Sequence, residues 1–312
     1  MENSNSNKHL HLYISAARII VGLFFIFSAY TKLFPIDEFE QYIFGHKYIG
    51  VETASLLAVG IISAELILGL FFLFNIKIRS TSYTTLGVLI IFSGYLTYLL
   101  IKEPESNCYC LGADYELSPL HSILKNLLLS ALVIFIALKK TQNRLKFQNI
   151  LFILLLIIGI ATPILLSPPD FIVKNRYSIH LEDKNINISE LAVYDSLETK
   201  TKINEGNKIL CFFSHKCTYC EKTAKKLSMI AEKENIKEGI VLIFYETDNV
   251  KEGWTLSDSL QFKQLTIPKE QFFKYSGKRL PAVFYTQNGK LFQKVDYRGI
   301  QQYEVIDFLF KK

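Results

Sequence analysis

Two pairs of closely spaced cysteines carry the chemistry to be expected of this sequence. One is Cys217-x-x-Cys220. It follows a short apolar run, Lys208-Ile209-Leu210-Cys211-Phe212-Phe213, and a polar break, Ser214-His215-Lys216. It opens a segment from Glu221 to Asn235 in which Ala224, Leu227, Ile230 and Ala231 recur at helical spacing. Strand, loop, CxxC and helix is the context in which two such cysteines do redox chemistry. Cys217 then stands at a helix N-terminus, where unpaired N–H groups and the macrodipole stabilise a thiolate. Cys220, one turn on, is within reach to form or resolve a disulfide. The thiolate is the attacking species, so the site is expected to exchange disulfides. Two plainer readings stand beside this one: ordinary core cysteines, or half of a zinc site. Zinc needs two more ligands, and no second CxxC or close Cys/His pair follows Cys220, so no metal is expected.

The other pair lies in Cys108-Tyr109-Cys110-Leu111-Gly112, just before a helix-start signal, Leu117-Ser118-Pro119. A disulfide between residues two apart is geometrically tight and is expected to be easily reduced. The alternative, two unpaired loop cysteines, is disfavoured in an oxidising compartment. The fifth cysteine, Cys211, reads as a buried apolar thiol. His215 and Lys216 are either electropositive neighbours that lower the pKa of Cys217 or solvated loop residues.

These pairs belong to two different kinds of chain. Of the 312 residues 50% are hydrophobic and 21% charged, but residues 10 to about 167 are dominated by long apolar runs and the remainder looks soluble. The net charge of +6 makes no case for nucleic acid. Five cysteines are too few for a disulfide scaffold in a chain this long. Five spans are expected at roughly 10–34, 54–74, 82–101, 119–138 and 147–167, each near the ~20 residues a helix needs to cross hydrocarbon. The first apolar run is too long for a signal-peptide core and is read as a retained span.

Lys8, then Lys77 and Arg79, then Lys139, Lys140, Arg144 and Lys146 lie on one side of these spans. Asp37, Glu38, Glu40, Glu52, Glu103, Glu105, Asp114 and Glu116 lie on the other, against only Lys47 and Lys102. The basic side is cytoplasmic. An odd span count then puts residues 168–312 outside, together with the Cys108–Cys110 loop. Within the spans, Arg18 and Glu65 each lie eight or nine residues from the cytoplasmic end, about 12–14 Å deep. A charge at that depth calls for a partner. An Arg18–Glu65 pair fixing helix register is therefore expected, with a proton or quinone site as the alternative. Lys32, at the outer end of the first span, is expected to snorkel.

The membrane half contains Arg18 with Gly22, Ser28 through Lys32-Leu33-Phe34, Glu65-Leu66-Ile67-Leu68-Gly69-Leu70, Cys108-x-Cys110-x-Gly112 and Ile123-Leu124-Lys125-Asn126. On these residues it resembles the MauE/DoxX family of redox-associated membrane proteins over about residues 10–140. The likeness implies a four-helix membrane domain, and its MauE branch implies disulfide formation or isomerisation in exported proteins. The fifth span then tethers the C-terminal, soluble-looking region.

From Lys208 on, the order of elements resembles the thioredoxin fold. Gly239 to Tyr245 is a second strand, and residues 251–275 are mixed and include a helix. Arg279 to Tyr285, a turn at Gln287-Asn288-Gly289-Lys290, Leu291 to Tyr297 and a helix from Gln301 to Phe310 complete it. The likeness matches Leu280-Pro281 to the family's cis-proline, which packs beside the CxxC and lets the preceding backbone pair with a substrate. Lys216 stands where the family has tryptophan, and Thr218-Tyr219 where it has Gly-Pro. Cys211 falls where thioredoxins often have a buried acid that relays protons.

The expected architecture is a four-helix MauE/DoxX-like bundle at residues 1–140, a fifth span within 141–170, linker and lead-in at 171–205 with short strand-like pieces at Tyr177–Leu181 and Ile186–Ile188, and an α/β thioredoxin-like domain at 206–312. The expected function is a thiol–disulfide oxidoreductase of the bacterial inner membrane. Its catalytic cysteines are Cys217, Cys220, Cys108 and Cys110, and its supporting residues Leu280, Pro281 and Lys216. Its partners are exported thiol or disulfide proteins and the lipid bilayer. No cofactor is readable. The alternatives are a quinone-coupled disulfide-forming oxidase and a non-enzymatic assembly factor of the MauE type.

Overall fold

The protein is described from a computed structural model that covers residues 2–104, 107–112, 115, 117–139, 147–180, 188–194, 202–246 and 262–310. The loop charges Glu105, Asp114, Glu116, Lys140, Arg144 and Lys146 lie outside the described residues. So do residues 186–187 of an expected strand-like piece and the first part of the 251–275 segment. The chain divides into two compact units, residues 1–46 with 53–168, and residues 169–312 with the short segment 47–52.

In the first unit five helices are long and apolar enough to cross a membrane. They are α1 (Glu2–Leu33, from His9 on), α3 (Val51–Leu73), α4 (Ile78–Lys102), α5 (Pro119–Leu138) and α6 (Gln148–Leu166). A helix satisfies its own backbone, which hydrocarbon cannot do. Between the first two lies α2 (Ile36–Phe44), a short helix that hydropathy alone did not single out. It buries Ile36, Phe39, Ile43 and Phe44 and carries Asp37 and Glu38 in its first turn, where the macrodipole favours acids.

Ala17, Val21 and Phe25 of α1, Leu68 and Phe72 of α3, Leu89 of α4, and Leu129, Val133 and Ile136 of α5 form one buried cluster, the core of a four-helix bundle. The fifth span, α6, packs on α3 through a second cluster around Phe71 and Leu155. Helices α1 and α3 approach closely at a pair of glycines. A side chain on Gly69 would sit 2.8 Å from the Gly22 carbonyl oxygen, and Gly22 lies against both Gly69 and Leu73. This close approach sets the register of the two antiparallel helices: Ser28 stands level with Glu65, and Arg18 lies near the end of α3, beyond Leu73.

The second unit is built on a six-stranded sheet. Its strands are β1 (Ser178–His180), β2 (Asn207–Phe212), β3 (Ile240–Tyr245), β4 (Lys263–Ile267), β5 (Ala282–Gln287) and β6 (Lys290–Val295), in the order β1-β6-β5-β2-β3-β4. β2–β3 and β3–β4 are parallel and the other pairs antiparallel. The helices are α7 (Asp170–Tyr177), α8 (Thr218–Lys233), α9 (Lys269–Ser276) and α10 (Gln302–Phe310). This is a thioredoxin-like α/β fold.

Alternation along the strands gives the sheet two apolar faces. Leu210, Phe212, Val241, Ile243 and Phe284 face a core closed by Phe272 and Tyr275 of α9. On the other face Tyr285 meets Phe308 of α10 edge-on at 5.0 Å. The stretch 171–205, read from sequence as linker and lead-in, contributes to this unit. β1 adds an edge strand to β6, and Ile188 and Leu191 are fully buried in the α9-side core.

Candidate functional site

The CxxC centre is assembled locally. β2 ends at Phe212 and α8 begins at Thr218, so Cys217 is the N-cap residue of α8, in extended backbone conformation. Its sulfur accepts the Cys220 backbone N–H at 3.2 Å, one of the donors a helix N-terminus leaves unpaired. Cys217 and Cys220 are disulfide-bonded. Cys220 is fully buried, whereas Cys217 is half-exposed beside an exposed Tyr219. An incoming thiol or disulfide therefore meets Cys217, and Cys220 is left to resolve. The Lys216 side chain is exposed. The His215 ring lies flat on Phe244, with centroids 4.3 Å apart.

Ala282 pairs with Phe212, which places Pro281 where the chain leaves β2 for Cys217. The Leu280–Pro281 peptide is cis. Cys211 is a free, fully buried thiol between Leu242 and Val283, and burial pushes its pKa far above the ordinary thiol range. Burial thus favours its protonated form over the thiolate. Sequence reasoning missed a buried ionic cluster against the face of α8. Asp170 accepts from Arg298 Nε at 2.6 Å and lies 3.4 Å from Lys226 Nζ, with Lys226 and Asp170 almost fully buried. Nothing in the local sequence links residues 56 and 128 positions apart.

The CxC centre is assembled from three helices and a loop. Cys108 and Cys110 are disulfide-bonded and nearly inaccessible, 2% and 4% exposed. They pack with Leu96 and Leu99 of α4. From α1, Lys32 Nζ donates to the Cys110 carbonyl at 2.6 Å, and Ser28 Oγ donates to the same oxygen at 3.1 Å. Gly112, at φ +76°, lies so close to the Thr31 carbonyl that no side chain fits there. From α5, the fully buried Ser122 holds its hydroxyl 3.0 Å from the Cys108 sulfur and 2.8 Å from the Cys110 sulfur. Between the cysteines, Tyr109 stacks on Tyr42 at 4.7 Å, and Tyr42 is hydrogen-bonded to Tyr95, which bonds to His46.

The expected Arg18–Glu65 pair does not form. Glu65 bonds Lys32 through both carboxylate oxygens, at 2.8 and 2.9 Å, and Lys32 is buried rather than snorkelling. Register and direction explain the correction. Glu65 stands level with Ser28, ten residues from Arg18, which is roughly 15 Å along a helix. Side chains also tilt toward their own helix N-terminus. Lys32 thus points back toward Ser28 while Glu65, on an antiparallel helix, points up to meet it, and Arg18 points away. The Lys32 ammonium spends its three N–H bonds on Glu65, Ser28 and the Cys110 carbonyl. Lys32 and Ser122 carry no linear motif that marks them as neighbours of the cysteines.

Among the described residues no group of three or more His, Cys, Asp or Glu side chains stands together as a metal site. Residues 10–139, which hold the CxC centre, match the family profile of the methylamine utilisation protein MauE. The membrane unit is therefore similar to MauE, and the chain joins it to a thioredoxin-like α/β unit. Protein TlpB of Flavobacterium psychrophilum is 25% identical over 346 aligned residues, which cover 93% of this chain and 93% of that protein. The likeness to TlpB thus extends beyond the MauE part through both units. No solved structure matches the chain significantly.

Proposed function

We propose that this MauE-like protein is a membrane-bound thiol–disulfide oxidoreductase of the bacterial inner membrane. The observation that carries the reading is Cys217 at the N-cap of α8, half-exposed, its sulfur held by a helix N–H and joined to a buried Cys220. In this reading the N-terminus is cytoplasmic, and both cysteine pairs work on the outer, periplasmic side, as the loop charges suggest. Cys217 exchanges with exported thiol or disulfide proteins, and Cys220 resolves the mixed disulfide. The Cys108/Cys110 pair then resets the CxxC by the same exchange. Joining the pairs in one chain raises the effective concentration of one at the other to roughly the millimolar range.

Trapping in intact cells tests the relay. With Cys220→Ser and Cys108→Ser combined, each centre keeps one candidate attacking thiol, and a Cys217–Cys110 disulfide is expected on non-reducing gels and by mass spectrometry. The Cys220→Ser, Cys110→Ser combination tests Cys108 in the same way. Absence of any such bond in both, with Cys217 captured on other proteins instead, would remove the relay and leave two separate sites.

A further inference from the structure

We infer that Ser122 is a catalytic residue of the CxC centre, its hydroxyl stabilising the thiolate that forms when the Cys108–Cys110 disulfide opens. The inference rests on the reading that this pair exchanges disulfides.

Ser122 is fully buried, and its hydroxyl contacts both sulfurs at nearly equal distances, 3.0 and 2.8 Å. It lies in the first turn of α5, whose N-cap is Ser118 and whose first residue is Pro119. The positive end of that helix is therefore turned toward the sulfurs. Cys108 is held there by its own backbone, which donates to the Leu117 carbonyl at 3.2 Å. A disulfide sulfur is a feeble acceptor, whereas a thiolate is a strong one whose hydrogen bonds are charge-assisted. The hydroxyl thus gains most of its bond energy only as the S–S bond breaks, which is the condition for lowering a barrier.

In the step itself, a thiolate of an incoming dithiol attacks one sulfur of the pair. A new S–S bond forms, the Cys108–Cys110 bond breaks, and the other cysteine leaves as a thiolate carrying the electron pair, with the Ser122 hydroxyl donating to it. The second thiolate of the donor attacks the mixed disulfide and releases the second cysteine. The donor dithiol is oxidised, the CxC is reduced, and the two protons lost by the donor are taken up by the released thiolates. Contact with both sulfurs lets one hydroxyl serve whichever cysteine leaves. Lys32 and Ser28, which bond the Cys110 carbonyl and not the sulfurs, are positioning residues.

The test uses the full-length protein in detergent with Cys217→Ser and Cys220→Ser, reduced chemically, and follows the ultraviolet absorbance of the CxC thiolate against pH. Removing a charge-assisted hydrogen bond with Ser122→Ala is expected to shift the titration upward and leave about tenfold less thiolate at neutral pH. Ser122→Thr, which keeps the hydroxyl, is expected to titrate below Ser122→Val, which has the same shape without it. That comparison decides the matter if Ser122→Ala fails to fold. An unchanged titration in Ser122→Ala, or identical titrations for Thr and Val, would overturn the role. Chemical reduction makes the result independent of the relay. A hydroxyl-dependent titration without a trapped Cys217–Cys110 bond keeps Ser122 and removes only the exchange between the centres.

Discussion

The two disulfide centres use the same physics at different ranges. In the thioredoxin-like unit the cysteine is itself the helix cap, so four consecutive residues bring sulfur and N–H groups together. In the membrane unit a helix N-terminus is also brought to the sulfurs. There it belongs to α5 and reaches them through Ser122, while α1 grips the loop carbonyl with Ser28 and Lys32. The first centre is open at Cys217 and the second is almost closed to solvent. A local centre tolerates exposure because its stabilising bonds are covalently adjacent. A centre made of tertiary contacts must be packed to exist, and its reactivity then depends on residues far away in the chain.

The largest effect that sharpens this contrast is expected from Cys217→Ser. It should abolish exchange with a soluble disulfide substrate, measured as turnover of a glutathionylated peptide. Cys110→Ser should leave the first encounter at Cys217 intact and stop only repeated turnover. Loss of the first encounter in Cys110→Ser would break the division of labour between the centres.

Next in size is the buried ion pair. Glu65→Gln leaves the Lys32 ammonium buried without its counter-charge and is expected to destabilise the membrane unit by about 3–5 kcal/mol, with a smaller loss for Lys32→Met because Glu65 is partly exposed. Arg18→Gln, removed from that pair, should cost about 1 kcal/mol or less. Denaturant unfolding in detergent measures both. Equal losses for Arg18→Gln and Glu65→Gln would overturn the register set by Gly22 and Gly69. Intact folding with lost turnover in Glu65→Gln would make the pair functional rather than structural.

Gly112→Ala introduces a side chain at positive φ against the Thr31 carbonyl, at a cost of about 1–3 kcal/mol. It should hasten reduction of Cys108–Cys110 by dithiothreitol and leave Cys217–Cys220 unchanged, read by differential alkylation. The smallest effect concerns Cys211. Because burial raises its pKa, the thiol stays protonated through neutral and mildly alkaline pH. It should resist iodoacetamide there until the domain unfolds, while reduced Cys217 reacts. Modification of Cys211 in the folded protein would mean that β2 is far more open than its packing indicates.

Much of this was legible in the residues. Five apolar runs became five long helices, with ends within a few residues of those expected except where α3 and α4 begin three or four residues early. The CxxC, its helix and the hairpin at Asn288-Gly289 fell where periodicity and turn chemistry put them. β1 falls within the strand-like piece at Tyr177–Leu181, but Ile188 opens a 3-10 helix rather than ending a strand, and the small helix α2 and the strand at Lys263–Ile267 were not separable from their surroundings. Short elements carry too little periodicity to stand out, and an edge strand is defined by its partner. Depth counting found Glu65 but chose the wrong cation, because it ignored which way helical side chains point.

The sequence by itself therefore determined the span count, the CxxC at the start of a helix and the strands β2, β3, β5 and β6, since each rests on neighbours along the chain. Only the tertiary structure decided that Lys32 answers Glu65, that Asp170 anchors Lys226 and that Ser122 attends the CxC sulfurs. Such contacts join residues far apart in the chain, and the first depends on how closely α1 and α3 approach, which at Gly22 and Gly69 is set by the absence of side chains on both.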